Sequence, residues 1–443
     1  MTEGLFAPIF VPAPLRDAVS DRAWLRAMLD AEAALARAEA RAGVIPPEAA
    51  EAIAACCDAD RFDIPAFGEA ARRLGAPVEP LARALAEAVG DEGRYVHWGA
   101  TSQDILDTAA MLVARNALGQ ILAELDAVAA ACAALAEAHR STPIAGRTVM
   151  QQALPTTFGL KAAGWLVGVL EAQSRLAAVR DERLAVQLGG GAGTLAALGE
   201  QGPAVLALFA EELGLAEPAL PWHANRVRLA ELGGALDLAA GALSKIALDV
   251  VLLSQTEVGE VAESGAGGSS TMPQKRNPTG SVIAIACARR VHVQAGLLAG
   301  GLAQEHERAA GGWQAEWQPL SDALALTGGA AAAMREVLEG LEIRPERMRA
   351  NLDATNGLIM AERITFLLAE RIGRIQAREL VTEACANAIA GGRPLRAELG
   401  ADPRIELTPE ELDAAFDPTG YLGSAEAFVE RALDLYRQRG GTR

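Results

Sequence analysis

Aromatic side chains make up only 4% of this chain of 443 residues, while alanine recurs in almost every stretch. Sheets favour β-branched and aromatic residues, so this balance points to closely packed helices. Basic residues are also short: 40 Lys and Arg stand against 57 Asp and Glu, a formal charge of −17. Nucleic-acid binding is dominated by basic surface against phosphate, so no nucleic-acid partner is expected. The five cysteines, Cys56, Cys57, Cys132, Cys287 and Cys385, have no metal-ligand spacing and cannot all pair, which excludes a disulfide scaffold and fits a reducing cytoplasm. The opening MTEGLFAPIFVPAP lacks the basic region and long apolar core of a signal peptide. No apolar run reads as long and charge-free enough to span a bilayer. A cytoplasmic protein without a membrane partner is the expectation.

What is present is helical periodicity. The length exceeds what one simple core holds, so two or three domains are expected. Ser20 is placed to cap a helix whose apolar face carries Trp24, Leu25, Met28, Leu29, Leu35 and Ala36, with Glu32 its single polar interruption. Shorter helices follow as far as Gly90. From about residue 112 to 340 the pattern becomes long helices, among them the series Leu118, Leu122, Leu125, Cys132 and Leu135, and the series Leu232, Leu236, Leu243, Ile246, Val250 and Leu253. Strand-like alternation is nearly absent. Beyond Asn351 the helices shorten, and Thr408-Pro409-Glu410-Glu411 reads as a capping box. The expected fold is therefore all-α in three helical domains: 1–111, a central long-helix bundle at 112–348, and a small domain at 349–443. Long helices apolar on more than one side must bury both faces, which predicts an oligomer around a shared helical core.

Three interruptions concentrate polar residues that a bundle does not need: His97–Asp104, Gly146–Gln152 and Ser264–Pro278. The third runs GAGGSSTMPQKRNP from Gly265. A Gly/Ala hinge leads into two serines and a threonine, then Lys275, Arg276 and Asn277 between two prolines. Flexible, then reactive, then restrained is the order of a loop that closes over a substrate. A mere linker would also be rich in Gly and Ser, but loops of this length are usually functional.

These blocks carry a family resemblance. HWGATSQDILDTA, GRTVMQQALPTTFG and GSSTMPQKRNP, in that order, resemble the three signature blocks of the fumarase/aspartase superfamily, which includes adenylosuccinate and argininosuccinate lyases. The resemblance extends over the whole chain. It implies a homotetramer around a central helical bundle, with active sites assembled from blocks of different subunits and no metal or cofactor. Such enzymes eliminate a group β to a carboxylate of a small polycarboxylate, or run the reverse addition, through a carbanion whose charge spreads into the carboxylate and must be met by cations and amides. By the same resemblance Ser269 or Ser270 moves the carbon-bound proton. Lys275, Arg276 and Asn277 hold carboxylate, and Thr101, Ser102, Arg147, Thr148 and Gln151 are further contacts. His97 matches a site histidine.

One departure narrows the chemistry. Most superfamily lyases read Gly-Arg-Thr-His in the second block, and that histidine helps protonate the leaving group. Here the position is Val149. Amine and hydroxide leaving groups need such an acid. A carboxylate, with a conjugate-acid pKa of about 4, leaves or attacks without one. That loss, together with the first block, LGGGAGTLAALG (188–199) and QEHERAAGGWQAEW (304–317), resembles the 3-carboxymuconate cycloisomerase branch. It implies closure of a lactone by a carboxylate within the substrate. Adenylosuccinate lyases carry a second arginine and serines where Trp317, Gly311 and Gly312 stand here, which weakens a nucleotide reading. Two other readings stand beside it: a fumarate-releasing lyase in which His97 replaces the missing acid, and a catalytically silent helical protein of the lens-crystallin kind.

The remaining candidates have plainer readings. Arg147 binds substrate or pins its own loop, and His306 is surface or site edge. Trp98, Trp313 and Trp317 line a pocket or simply pack. His139, His223 and His292 are structural or exposed. The Gly189–Gly193 run lacks a preceding strand and dinucleotide spacing, and reads as a helix break.

Overall fold

The computed structural model describes residues 4–264, 267–268 and 272–440. Backbone contacts divide the chain into two compact units: Met1–Asp126 with Glu171–Ser244 and Ile283–Met334, and Ala127–Leu170 with Lys245–Val282 and Arg335–Arg443.

In the first unit, α1 (Asp21–Arg41) starts where expected, with the Ser20 hydroxyl accepting the amide of Ala23. Its buried face includes Leu25, Met28, Leu29 and Leu35, and also two acids, Glu32 and Glu39, each 1% exposed. Helix α2 (Ser102–Ala138) is 37 residues long and begins inside the first polar block. Ile105, Met111, Leu118, Ile121 and Leu125 along it are fully buried. It gives its residues up to Asp126 to the first unit and the rest to the second. Helices α3 (Phe158–Ala178), α4 (Val227–Leu253), α5 (Thr279–Gly300) and α6 (Trp317–Glu339) are the other long elements expected from periodicity, and are likewise shared between the units.

The second unit has its own core. Ile364, Leu368, Val381, Leu395, Leu399 and Leu412 pack together among the short C-terminal helices. Thr408 and Glu411 form the full reciprocal capping box at the start of α10 (Pro409–Phe416), after α7 (Pro345–Asp353), α8 (Ala361–Ile372) and α9 (Arg374–Gly391).

Two details add to the sequence expectations. Strands are few but present: among the described residues there are three two-stranded antiparallel sheets, β1 (Pro143–Thr148) with β2 (Gln151–Thr157), β3 (Val261–Glu263) with β6 (Leu341–Ile343), and β4 (Gly267–Gly268) with β5 (Arg276–Asn277). The second polar block is thus a hairpin, not a gap between helices. In addition, α5 has the length and apolarity of a membrane span by composition. It nevertheless carries Arg289, Arg290 and His292, and intramembrane charges are rare.

Candidate active site

The first block sits at the start of α2. Asp104 is fully buried, and its carboxylate collects four donors. Oδ2 accepts the amides of Thr101 (3.0 Å) and Gly190 (2.8 Å), while Oδ1 accepts Gly189 N (2.9 Å) and lies 2.6 Å from His223 Nε2. Close approach explains the glycines. A Cβ on Gly189 would fall 2.7 Å from the His223 ring, and Gly190 has φ +67°. The glycine run is therefore a seat for the block that carries Thr101 and Ser102, both half-buried. His223 is structural, as its sequence reading allowed.

One turn further on, Asp107 receives the Arg226 guanidinium (2.7 and 3.0 Å), Trp313 Nε1 (3.0 Å) and Gln103 Nε2 (3.1 Å). Arg226 also reaches Glu316 at 2.6 Å and lies over the Trp222 ring. Gln304 donates to Glu316 (2.9 Å), and Arg308 donates to Gln103 Oε1 (3.0 Å). Burial raises the Glu316 pKa and the neighbouring Asp107 adds to the rise, against the lowering effect of Arg226. The segment 304–317 is consequently a clamp on the first block, pinned through Gln304, Arg308, Trp313 and Glu316. Trp313 packs and donates. His306 points to the exposed side with φ +47°.

His97 stands apart from this network. Its backbone has φ +58°, a region that non-glycine residues seldom adopt and that clusters at functional sites. Its Nδ1 lies 2.7 Å from Glu32 Oε1, with side-chain exposures of 19% and 1%. Burial alone would disfavour the imidazolium, but the charge and hydrogen bond of Glu32, helped by Asp104, outweigh it and raise the His97 pKa above its ordinary value. Burial and the Glu32 charge push Glu39, further along the same face, up to about 9.

The second and third blocks belong to the second unit. The β1–β2 hairpin turns through Val149 (φ +51°) and Met150 (φ +65°), which are 95% and 69% exposed. Two consecutive left-handed residues are the signature of a tight hairpin turn that normally selects Asn or Gly. Thr148 and Gln151 pair across it, both exposed. Arg147 makes a two-pronged pair with the fully buried Glu260 (2.9 and 2.8 Å), and Asn351 donates to Glu260 at 2.8 Å. Arg147 thus pins its own hairpin, one of its two sequence readings. Lys161, at the start of α3, has its pKa lowered by burial, with Asp249 opposing and Lys245 and Arg147 adding.

In the third block Lys275 is exposed, Asn277 is half-buried, and Arg276 lies 3.7 Å from Glu342. Ser269 and Ser270 lie outside the described residues. Glu263 ends β3 and holds the far end of this block, accepting the amides of Gly280 and Ser281 (3.0 Å each) and the Ser281 hydroxyl (2.6 Å). Glu260 and Glu263 escaped the sequence reading because their partners are 113 and 17 residues away. Glu32 did leave a signal, as an acid on an otherwise apolar face.

The lyase family pattern matches residues 11–292, and that of the adenylosuccinate lyase C-terminus matches residues 357–432. The chain belongs to the lyase family of the fumarase/aspartase superfamily. Among relatives in this family, a 3-carboxy-cis,cis-muconate cycloisomerase of Bradyrhizobium diazoefficiens is 47% identical over 439 residues, 97% of each chain. A nitrosuccinate lyase of Streptomyces davaonensis is 46% identical, covering 97% of this chain and 94% of its own. The crystal structure of 3-carboxy-cis,cis-muconate lactonizing enzyme from Pseudomonas putida superposes with a TM-score of 0.94 at 44% identity, covering 98% of this chain and 99% of that one.

Family membership also helps to sort the cavities. One of about 600 Å³ in the first unit is lined by Trp24, Leu25, Met28, Leu81, Leu106 and Trp317, with Asp21 but no Lys or Arg among its described walls. A polycarboxylate has no cation to meet there.

Proposed function

We propose that this lyase-family chain is a 3-carboxy-cis,cis-muconate cycloisomerase working without metal or cofactor. A carboxylate oxygen of the substrate adds to the conjugated double bond, closing the lactone ring. The electron pair released onto the α-carbon, spread into its carboxylate, is quenched by one proton. The observation that carries this reading is Val149, an aliphatic side chain at the exposed hairpin tip where a leaving-group acid would stand. A carboxylate nucleophile needs no such acid. Relatives bearing the cycloisomerase name at 47% and 48% identity support it.

In this reading Ser269 or Ser270 delivers the proton, Lys275, Arg276 and Asn277 hold carboxylate, and Thr101, Ser102, Thr148 and Gln151 donate hydrogen bonds. Arg147 serves by fixing the hairpin that presents Thr148. His97 directs its Nε2 edge at a substrate carboxylate. The protein acts as a homotetramer whose sites combine blocks of different subunits. Apolar side chains left in water support this: Leu238 and Leu248 on α4, and Val282, Val293 and Leu297 on α5, are each between 48% and 60% exposed, the mark of an interaction surface. The parts 1–111, 112–348 and 349–443 are proposed as its three domains, the last holding the 357–432 match. The five free cysteines fit a cytoplasmic location.

The test is to mix the purified protein with 3-carboxymuconate and follow the ultraviolet absorbance of the diene. Loss of absorbance is expected, abolished by Ser269→Ala or Ser270→Ala. No loss, with fumarate released from a succinyl-amine instead, overturns the reading. The nitrosuccinate lyase relative marks a second reading of the same kind, because nitrite is also a weak base that departs unprotonated.

A further inference from the structure

A buried acid on an apolar helix face is expensive unless something satisfies it. Glu32 and Glu39 are both such acids, and their situations differ. Glu39 Oε1 has no partner among the described residues, and the group is neutral at ordinary pH because burial and Glu32 push its pKa to about 9. Glu32 has a partner, His97 Nδ1 at 2.7 Å. The two residues are 65 positions apart, and the contact is made with His97 held at φ +58°. Backbone strain and a desolvated charge are thus both spent on one hydrogen bond.

That bond determines which edge of the ring is free. With Nδ1–H donating to Glu32, only Nε2 can meet a ligand, and no described residue bonds Nε2. A carboxylate behind an imidazole sets its tautomer and favours its protonated form, the logic by which acids orient histidines at catalytic and metal centres.

We propose that Glu32 is the positioning residue of His97, fixing its ring and keeping Nε2 a charged donor toward a carboxylate of the substrate. This rests on the reading of His97 as a substrate contact. The groups that face the pair are few. Asp104 on α2 adds to the field at His97. Glu39 on α1 and Cys57, just past the helix Pro47–Cys56, feel the Glu32 charge, and Arg37 and Asp30 act on Cys57 in turn. Glu39 is protonated and burial pushes the Cys57 thiol up to about 12, so neither changes charge between pH 6 and 8.

The experiment is Glu32→Gln, which keeps a hydrogen-bond acceptor and removes the charge. Two readouts apply: the pH profile of kcat/KM on 3-carboxymuconate, and the NMR titration of His97, assigned by its loss in His97→Gln. The alkaline limb of kcat/KM reports the free enzyme. It is expected to move about one pH unit lower, a loss of roughly tenfold above the limb and little loss below it. The His97 titration is expected to move in parallel. Glu32→Asp should restore most of the shift, and Glu32→Gln should change nothing further once His97 is Gln. A merely structural Glu32 would lower activity equally at all pH values and leave the limb in place. That result, or an unmoved His97 titration, or additive effects of the two substitutions, overturns the proposal. If Glu32→Gln does not fold, the same comparison is read from Glu32→Met, which removes both charge and acceptor at similar volume on the apolar face; an unmoved His97 titration there also overturns it. A wild-type protein inert toward 3-carboxymuconate refutes the functional reading alone, because the titration still decides the pair.

Discussion

The two regions that carry the signature blocks are built on opposite terms. Around Asp104 and Asp107 the carboxylates are answered from inside the first unit: four donors converge on one carboxylate and a guanidinium is held between two others, with Gln304 Oε1 left unpaired among the described residues at the edge. Around the hairpin tip and the described part of the third block, Thr148, Gln151, Lys275 and Arg276 stand exposed, and the hydrogen bonds of Arg147 with Glu260 and of Glu263 with Gly280 and Ser281 lie at the base. Saturated polar networks are rigid, and half-satisfied ones are costly. The first region is therefore a preset seat. The second leaves its groups exposed, which fits the proposed sharing of sites between subunits.

Removing the centre of the seat should have the largest effect. Asp104→Ala leaves two glycine amides, the Thr101 amide and His223 without their acceptor. A loss on the order of 4 kcal/mol is expected, read as a large fall in the denaturant midpoint; a fall no greater than that of an exposed Asp→Ala would break the comparison. Glu39 provides a smaller effect with a defined sign. Its folded pKa of about 9 lies above the ordinary 4.5, so the unfolded chain gives up the proton first. The contribution is intact below pH 4.5 and is lost progressively as pH rises toward 9. Glu39→Gln is therefore expected to raise stability by on the order of 3 kcal/mol at pH 8 and by little at pH 4.5, measured as the difference in melting temperature at the two values. The smallest effect is expected at the hairpin tip. Val149→Asn relieves a β-branched residue at φ +51° and should stabilise by about 1 kcal/mol. A Val149→Asn protein that melts lower would mean the tip is already buried against a partner.

How much of this could be read from sequence depended on distance along the chain. The Ser20 cap and the Thr408–Glu411 box were visible because their partners are three residues apart, and the long helices because their period repeats. The β1–β2 hairpin was not, because Val149-Met150 is a poor sequence for the turn it makes. The Asp104–His223 and Arg226–Asp107 pairs join residues 119 apart, and no local pattern specifies them. The blocks themselves were legible as chemistry without geometry. Glu32 shows the boundary between the two: its oddness on an apolar face was visible, and its partner was not.

Glu263 has a consequence for the covalent integrity of the chain. It joins the strand before the third block directly to the first turn of α5, so the base of that segment is closed without help from the residues between. Lys275 and Arg276 are exposed within it. A trypsin-like protease that cuts after either one leaves both new ends held at their roots, and the nicked protein still melts as one piece.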